Sequence, residues 1–492
     1  MNLERLITAL APTDVVHCAS VEVRDLAYDA RAVRPGALFC CVPGLRHDGH
    51  EFAAAAVAAG AVALLCERPL ALGVPQLVVP AARAAMAVAA DAFFGEPTRE
   101  LRVAGSTGTN GKTTSAYLLA AILDAAGLQA GLLGTVESRV GGVVRPVVRT
   151  TPEAIDLQRT FREMLDAGDR ACAIEASSIA AALHRLDRTR FAALAFTNLT
   201  QDHLDFHGSM EAYFEAKRLL FVGDDPPPAA VSLDDEWGRR LAAELRERAA
   251  APLLTFGFAR DADVRPEGLR LDGAGARFSA GGIALESRLR GRFNVANVLG
   301  TVAVARLLGL PAAAVAAGVA GLPGVPGRFE AVDEGQPFAV VVDYAHTPDG
   351  LDNVLRTARD LAGGRGAGAG RVIAVFGAGG DRDRGKRPQM GALAATLADL
   401  AIVTADNPRS EEPAAIVAEI AAEYEAQLEV EIDRRAAIAR AFAAARPGDV
   451  VLIAGKGHEQ GQEIAGVVHP FDDRLVAAEE LRRAGWGGGG AA

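Results

Sequence analysis

Lysine is almost missing from this chain. Of 51 basic residues only four, Lys112, Lys217, Lys386 and Lys456, are lysine. Arginine serves as well on a solvated face, but not where a compact ammonium or a nucleophilic amine is required. Each lysine is therefore a candidate for chemistry. Cysteine is also scarce: Cys18, Cys40, Cys41, Cys66 and Cys172 are odd in number and lack metal-type spacing. That excludes a disulfide framework and fits reduced thiols in the cytoplasm. No long apolar run is present. The longest, residues 52–66, is Ala-rich and broken by Gly60, which excludes a membrane span. The beginning of the chain carries Glu4 and Arg5 without an apolar core and cleavage site, so no signal peptide is expected. A basic excess is missing too. Lys plus Arg is 51 against 62 Asp plus Glu, for a formal net charge of -11, which sets nucleic acid aside as a main partner.

What remains is an ordinary globular composition. Half of the 492 residues are hydrophobic and 23% are charged, enough for real cores. The length suggests about three domains. Residues 1–97 open with a short amphipathic helix. An extended segment at 28–42, a helix at 51–59 and strands at 61–66 and 76–79 follow, as in a small α/β domain. Residues 98–328 begin with a strand at 101–104, a Gly-rich loop and an apolar helix from Thr113. Strands and helices then alternate, predicting a mostly parallel sheet. Residues 253–290 predict a small antiparallel sheet beside it, and Gly321-Leu-Pro-Gly-Val-Pro-Gly-Arg328 predicts a hinge. Residues 329–492 carry strands at 339–343, 372–376, 400–404 and 450–453, each followed by a loop and a helix. They read as a doubly wound, Rossmann-like domain. The tail from Gly487 is expected to be disordered.

The sharpest motif is Gly105-Ser-Thr-Gly108-Thr109-Asn110-Gly111-Lys112-Thr113-Thr114, between a strand and a helix. Glycines let backbone N–H groups approach phosphate oxygens, and a helix N-terminus adds positive potential. Lys112 can reach the outer phosphates and the Thr113 hydroxyl can bind Mg²⁺. The usual P-loop spelling needs glycine at position 106, where serine stands.

That spacing, Gly-Thr-Asn-Gly-Lys-Thr, resembles the ATP loop of the Mur ligase family, and the rest of the chain agrees with that family in order. Thr150-Thr151-Pro152 resembles its substrate loop, and Glu175-Ala-Ser177-Ser178 its Glu-Val-Ser-Ser motif. The run from Thr197 to Gly208, with Asp202, His203 and His207, is similar to its Asp-His motif. Asn294 and Asn297 match its Asn-x-x-Asn helix, and Arg328 with Asp343-Tyr-Ala-His346 its C-terminal ATP contacts. The resemblance implies a three-domain α/β fold: a small N-terminal domain for a uridine nucleotide, a central P-loop-type parallel-sheet ATPase domain, and a C-terminal Rossmann-like domain for an amino acid.

It also implies residue roles. Glu175, at the end of a strand-like run, and His203 are suitable ligands for Mg²⁺ beside Thr113. Lys217 matches a lysine that the family carbamylates with CO₂, giving a carboxylate-like group for metal. Lys386, in the Gly-rich loop 377–388, would lie near ATP, and Arg382 near the incoming amino acid. Thr150, Thr151, Ser177 and Arg185 would meet the nucleotide substrate. Three positions depart from the family: Ala30 and Leu183 replace residues that touch that substrate in many members, and Ile179 stands where many have histidine. Asp406-Asn407-Pro408-Arg409 resembles the motif of members that add meso-2,6-diaminopimelate, and Gly455-Lys456-Gly457-His458-Glu459 completes the resemblance. Arg409 could grip the distal carboxylate bidentately, and Glu459 the distal ammonium. Lysine would offer Arg409 a like charge, worth about 4 kcal/mol at about 4 Å and an effective dielectric of about 20.

The implied activity is ATP-dependent amide synthesis. The γ-phosphate of MgATP passes to the D-glutamyl side carboxylate of UDP-N-acetylmuramoyl-L-alanyl-D-glutamate, and an amine of diaminopimelate attacks the acyl phosphate. Lys112, Lys217, His203 and Glu175 are the expected catalytic set, in a monomer with neither nucleic acid nor membrane as partner. Addition of lysine, a folate-type substrate, or a nucleotide-binding scaffold without catalysis remain alternatives.

Overall fold

The computed structural model describes residues 1–44, 47–364 and 368–487. The tail expected to lack order lies, beyond Gly487, outside the described residues.

Three sheets organise the chain. The first runs Asp14–Val16, Gln76–Val78, Ala61–Cys66, Ala37–Cys40, Asp25–Ala27, and only its outermost pair is antiparallel. The extended segment expected at 28–42 is interrupted. The Asp29 side chain accepts from Arg31 N and closes a 3₁₀ turn at Ala30–Ala32, ahead of the strand Ala37–Cys40. The helix Ala82–Phe93 covers this sheet.

The central sheet has eight strands in the order Leu253–Phe256, Ala229–Ser232, Phe191–Phe196, Arg102–Thr107, Ala171–Glu175, Ala130–Leu133, Ser138–Val140, Val143–Arg145. The first six are parallel and the last two form an antiparallel extension. The strand Leu253–Phe256, expected in the small antiparallel sheet, instead pairs in parallel at this edge. The antiparallel sheet holds only Glu267–Asp272, Gly275–Ala280 and Ile283–Ser287. Helices Lys112–Ala125, Arg292–Leu307 and Ala312–Gly321 bury one face of the central sheet, and Ala154–Asp166, Met210–Arg218 and Glu236–Arg248 the other. The helix Ala154–Asp166 also ties the first unit down: Tyr28 donates to Asp156 at 2.7 Å and Arg159 to Asp25 at 3.0 Å.

The third sheet runs Glu330–Ala331, Ala339–Asp343, Val450–Ala454, Val372–Phe376, Leu400–Val403, Leu428–Val430, parallel except at its first pair. Its inner strands are unbroken apolar runs such as Val-Ile-Ala-Val-Phe, buried on both faces, as a sheet between two helical layers requires. Thr347 caps the helix Pro348–Leu361 by accepting from Gly350 N, and proline fills its first turn, where no N–H is needed.

The end of the segment expected to be a hinge, residues 325–328, is a turn packed against the third unit. Arg328 N donates to Val325 O at 3.0 Å, and Gly327, at φ +65°, lies so close to Gly457 and His458 that an added Cβ would sit 2.2 Å from His458 N.

One ion pair lies wholly inside the third unit. Arg434 donates from Nε and Nη2 to both oxygens of Asp473 at 2.7 Å, and both side chains are fully buried. Its remaining donors reach Ala454 O at 2.9 Å and Ala405 O at 3.4 Å, just where two strands end. Breaking such a pair strands a buried charge. Asp473→Asn is expected to destabilise the chain by about 3–5 kcal/mol, read as a shift of the urea unfolding midpoint.

Candidate active site

The carboxyl ends of the central and third sheets open on one cavity of about 1150 Å³, lined from both units. At its floor the strand Arg102–Thr107 turns through the Gly-rich loop into the helix from Lys112. The two loop glycines are forced by contact. A Cβ at Gly108 (φ +149°) would sit 1.9 Å from Thr197 Oγ1, and one at Gly111 (φ +89°) 2.3 Å from Asn297 Oδ1. Lys112 Nζ donates to Gly108 O at 2.9 Å and Thr109 O at 2.8 Å, leaving one ammonium proton for a ligand.

Adjoining strand ends bring in the acidic wall. Glu175, buried, accepts from Thr113 Oγ1 at 3.1 Å, Thr135 N at 2.6 Å and Thr135 Oγ1 at 3.1 Å. Thr151 donates to Glu175 O at 2.7 Å and lies 3.1 Å from Ser177 Oγ. Thr150 bonds Thr135, and Arg185 is shared between Thr151 O at 3.2 Å and Glu153 at 2.8 Å. His203 takes a left-handed φ of +54°, and Asp202 lies 3.5 Å from its Nε2. Burial works to raise the Asp202 carboxyl, but the hydrogen bond and charge of His346, with His203 and Lys386, hold it below the usual range. Lys217 is buried, donates to Gly108 O at 2.9 Å, and stands over the Tyr213 ring at 4.6 Å. Burial, with Lys112 adding to it, pushes its amine well below the usual lysine range. Burial lowers Lys112 as well.

Side chains from the two units meet across this floor. Arg328 Nη2 donates to Thr113 Oγ1 at 3.0 Å, and Asn110 donates to Asp349 at 2.6 Å. Gln201 donates to Asp383 at 2.8 Å, and Asp202 lies 3.6 Å from His346 Nε2 and 4.0 Å from Lys386 Nζ. Asp343, buried, accepts from Phe329 N and Ala345 N, both at 2.7 Å, and burial raises its carboxyl.

Most expected site residues meet here: Thr109 to Thr114, Thr150, Thr151, Glu175, Ser177, Arg185, His203, Lys217, Asn297, Arg328, Asp343, Arg382 and Glu459 all line the cavity. Others stand behind it. Asn294 accepts from Asn297 at 3.0 Å, and Lys386 is buried beside Asp202. Asp406 and Asn407 are buried too, and Asp406 Oδ2 has no hydrogen-bond partner among the described residues. It faces Gly455, where a Cβ would come within 2.3 Å of it. Arg409 donates to Gly380 O at 2.7 Å and lies 3.4 Å from Glu463. Ala30, Leu183 and Pro408 are not among the lining residues. Sequence reasoning missed Asp349, Gln201, Glu463 and Tyr213. Gln201 lies inside the Thr197–Gly208 run but drew no role there, and the other three stand outside the motifs and are recognisable only by their partners.

Thr113 and Glu175 place two hard oxygen donors 3.1 Å apart on the floor, the donor chemistry Mg²⁺ takes. Among the described residues no three His, Cys, Asp or Glu side chains converge as ligands.

A nucleotide-type loop at the floor of a cleft between two α/β units frames the site, and family models fix the class of protein. The Mur ligase family catalytic domain matches residues 22–102, the Mur ligase middle domain 107–305 and the Mur ligase glutamate ligase domain 327–457. The chain belongs to the Mur ligase family. It is 46% identical over 507 residues, spanning 99% of both chains, to the UDP-N-acetylmuramoyl-L-alanyl-D-glutamate–2,6-diaminopimelate ligase of Solibacter usitatus (strain Ellin6076). Against the protein of the same name from Geobacillus thermodenitrificans (strain NG80-2) identity is 44%, over 98% of this chain and 99% of that one. A solved structure of a ligase of that name superposes with a TM-score of 0.66 at 33% identity, covering 94% of this chain and 95% of the other. The MurF ligase of Thermotoga maritima in complex with ADP shares the fold at 20% identity and a TM-score of 0.59, over 94% and 96%.

Two outcomes follow from this geometry. Gly111→Ala forces both an unfavourable φ and a clash with Asn297, so ADP binding by calorimetry is expected to weaken about tenfold or more. His203 and His458 are lowered, chiefly by burial, to about 4 and about 3 from an ordinary 6.5. Between those values the unfolded chain binds more protons than the folded one, so their stabilisation is complete above about pH 6.5 and is lost toward about pH 4. Thermal melting should fall across that window, and His458→Gln should flatten the fall.

Proposed function

We propose that the chain uses ATP to join meso-2,6-diaminopimelate to UDP-N-acetylmuramoyl-L-alanyl-D-glutamate, a step of peptidoglycan precursor synthesis, as a cytoplasmic monomer. The observation that carries the reading is the single cavity with the Lys112 loop at its floor and Arg382 and Glu459 in its wall. The relatives that bear this activity in their names match over nearly the whole chain.

ATP lies along the loop from Gly108 to Thr114, with Asn294 and Asn297 shaping its helix-side wall and Arg328, Asp343 and Lys386 approaching from the third unit. The free proton of Lys112 and the guanidinium of Arg328 face the charge that develops as the γ-phosphoryl group leaves ADP for a D-glutamyl carboxylate oxygen. The amine of diaminopimelate then forms the amide bond to the acyl carbon, losing a proton, and phosphate departs. Mg²⁺, when bound, neutralises phosphate charge, and Thr113, Glu175, His203 and a carbamylated Lys217 would hold it. Supporting the carbamate is the depressed amine of Lys217, since CO₂ adds only to the neutral form. Thr150, Thr151, Ser177 and Arg185 hold the acceptor's anionic groups, with Ala30 and Leu183 near its path. Closure over the cavity keeps water from the acyl phosphate.

The amino-acid end is built for a zwitterionic terminus. Asp406, with an unpaired oxygen, and Glu459 take ammonium, while Arg382 and Arg409, backed by Asn407, Pro408 and Gly455, take carboxylate. Glu463 offsets part of the charge on Arg409, so rejection of lysine is expected to be weaker than an isolated guanidinium would give.

ADP and phosphate release should require both the dipeptide nucleotide and diaminopimelate; turnover independent of either sinks the ligase reading. Lys112→Ala is expected to lower kcat by about 10³-fold. Arg409→Ala is expected to lose most of the preference for diaminopimelate over lysine, measured as the ratio of kcat/KM values. A ¹³C signal from labelled bicarbonate, lost in Lys217→Ala, reads the carbamate.

A further inference from the structure

Lys456 is the rare lysine that this chemistry leaves without a task. Its side chain is fully buried. Its ammonium donates to Gly461 O at 2.6 Å, Asn407 Oδ1 at 3.1 Å and Glu459 Oε2 at 3.1 Å. Those bonds use all three of its protons, so none remains for a substrate.

The three acceptors belong to three segments. Asn407 lies in the loop after Leu400–Val403, Glu459 in the loop after Val450–Ala454, and Gly461 opens the hairpin strand Gly461–Ile464. The segments are cross-tied around the ammonium. Asn407 Nδ2 donates to Glu459 Oε2 at 2.7 Å, and its Oδ1 also accepts from Glu463 N at 2.9 Å. Glu459 thus has one oxygen held twice, while among the described residues its Oε1 accepts no hydrogen bond, and its side chain lines the cavity.

We infer that Lys456 is a positioning residue for amino-acid selection: its buried ammonium clamps Glu459 through Oε2 and Asn407, so that Oε1 is presented to the ammonium of the incoming diamino acid. The geometry explains why lysine persists here in a chain that otherwise uses arginine. Arg434, equally buried, meets a planar carboxylate with a planar fork. Lys456 meets three acceptors on three residues, one for each proton of a compact ammonium, and no single planar carboxylate that a fork would match. The inference deepens the ligase reading and rests on it.

Steady-state kinetics of the full chain test it. In Lys456→Met the KM for diaminopimelate should rise about tenfold or more, the loss expected when a charge-assisted contact is misplaced. The KM values for ATP and for the dipeptide nucleotide should stay within about twofold, and kcat at saturation should change little. In a Glu459→Gln background, Lys456→Met should add less than about twofold, because the two act as one unit. Equal rises in all three KM values, or additive effects, would overturn the inference. If Lys456→Met does not fold, Glu459→Gln alone decides. It should raise the KM for diaminopimelate selectively and lower the melting temperature by about 3 °C or more, since it leaves a buried cation without its counter-ion. An unchanged melt or unchanged KM overturns the clamp. A wild-type chain without ADP release dependent on both substrates fails differently, and takes the ligase reading down as well.

Discussion

Arg328, in the turn that leads into the third sheet, reaches the hydroxyl of Thr113 on the Gly-rich loop, 3.0 Å away, and the cleft takes its shape from that approach. The Lys112 loop and the wall that carries Arg382 and Glu459 sit on different sheets. Neither can perform aminolysis of an activated acid alone, because the two halves of the reaction must share one dry space. The contact is paid back in geometry: Thr113 also donates to Glu175, so the Arg328 guanidinium, the helix start and the acidic strand end are linked through one hydroxyl.

Around that link the structure keeps charge where it can be used. Lys217, Lys386 and Lys456 are all at most 3% exposed, and each ammonium has a named acceptor or carboxylate beside it. Arginine carries the bidentate work, as at Arg387 with Glu411 and Glu419, and at Arg434 with Asp473. The division follows shape. A fork matches a planar anion, and a point charge fits where donors must radiate.

Much of this was legible in the sequence. The strand Val372–Phe376 announced itself as an unbroken apolar run, and the phosphate loop by glycines whose missing Cβ atoms prove necessary at Gly108 and Gly111. The helices Ala82–Phe93 and Ala312–Gly321 were not anticipated, because alanine-rich stretches show little contrast between faces. The turn at Ala30–Ala32 hid inside an extended reading, since one aspartate cap outweighs strand propensity there. Pairings between units, such as Asn110 with Asp349, leave no periodic trace at a separation of 239 residues. The hinge reading of 321–328 rested on glycine and proline content. The pattern does not show that Gly327 is also held to glycine by the backbone of Gly457 and His458, which presses against it.

The burial of the lysines also determines how the molecule meets reagents. Lys112 and Lys217 line the cavity and Lys386 and Lys456 are interior, so the outer face of this chain offers no lysine. Among side-chain amines, acylating dyes, aldehyde cross-linkers and activated resins would find only those of the cavity. For such chemistries attachment and inactivation become nearly the same event, whereas reagents aimed at guanidinium groups would coat the exterior.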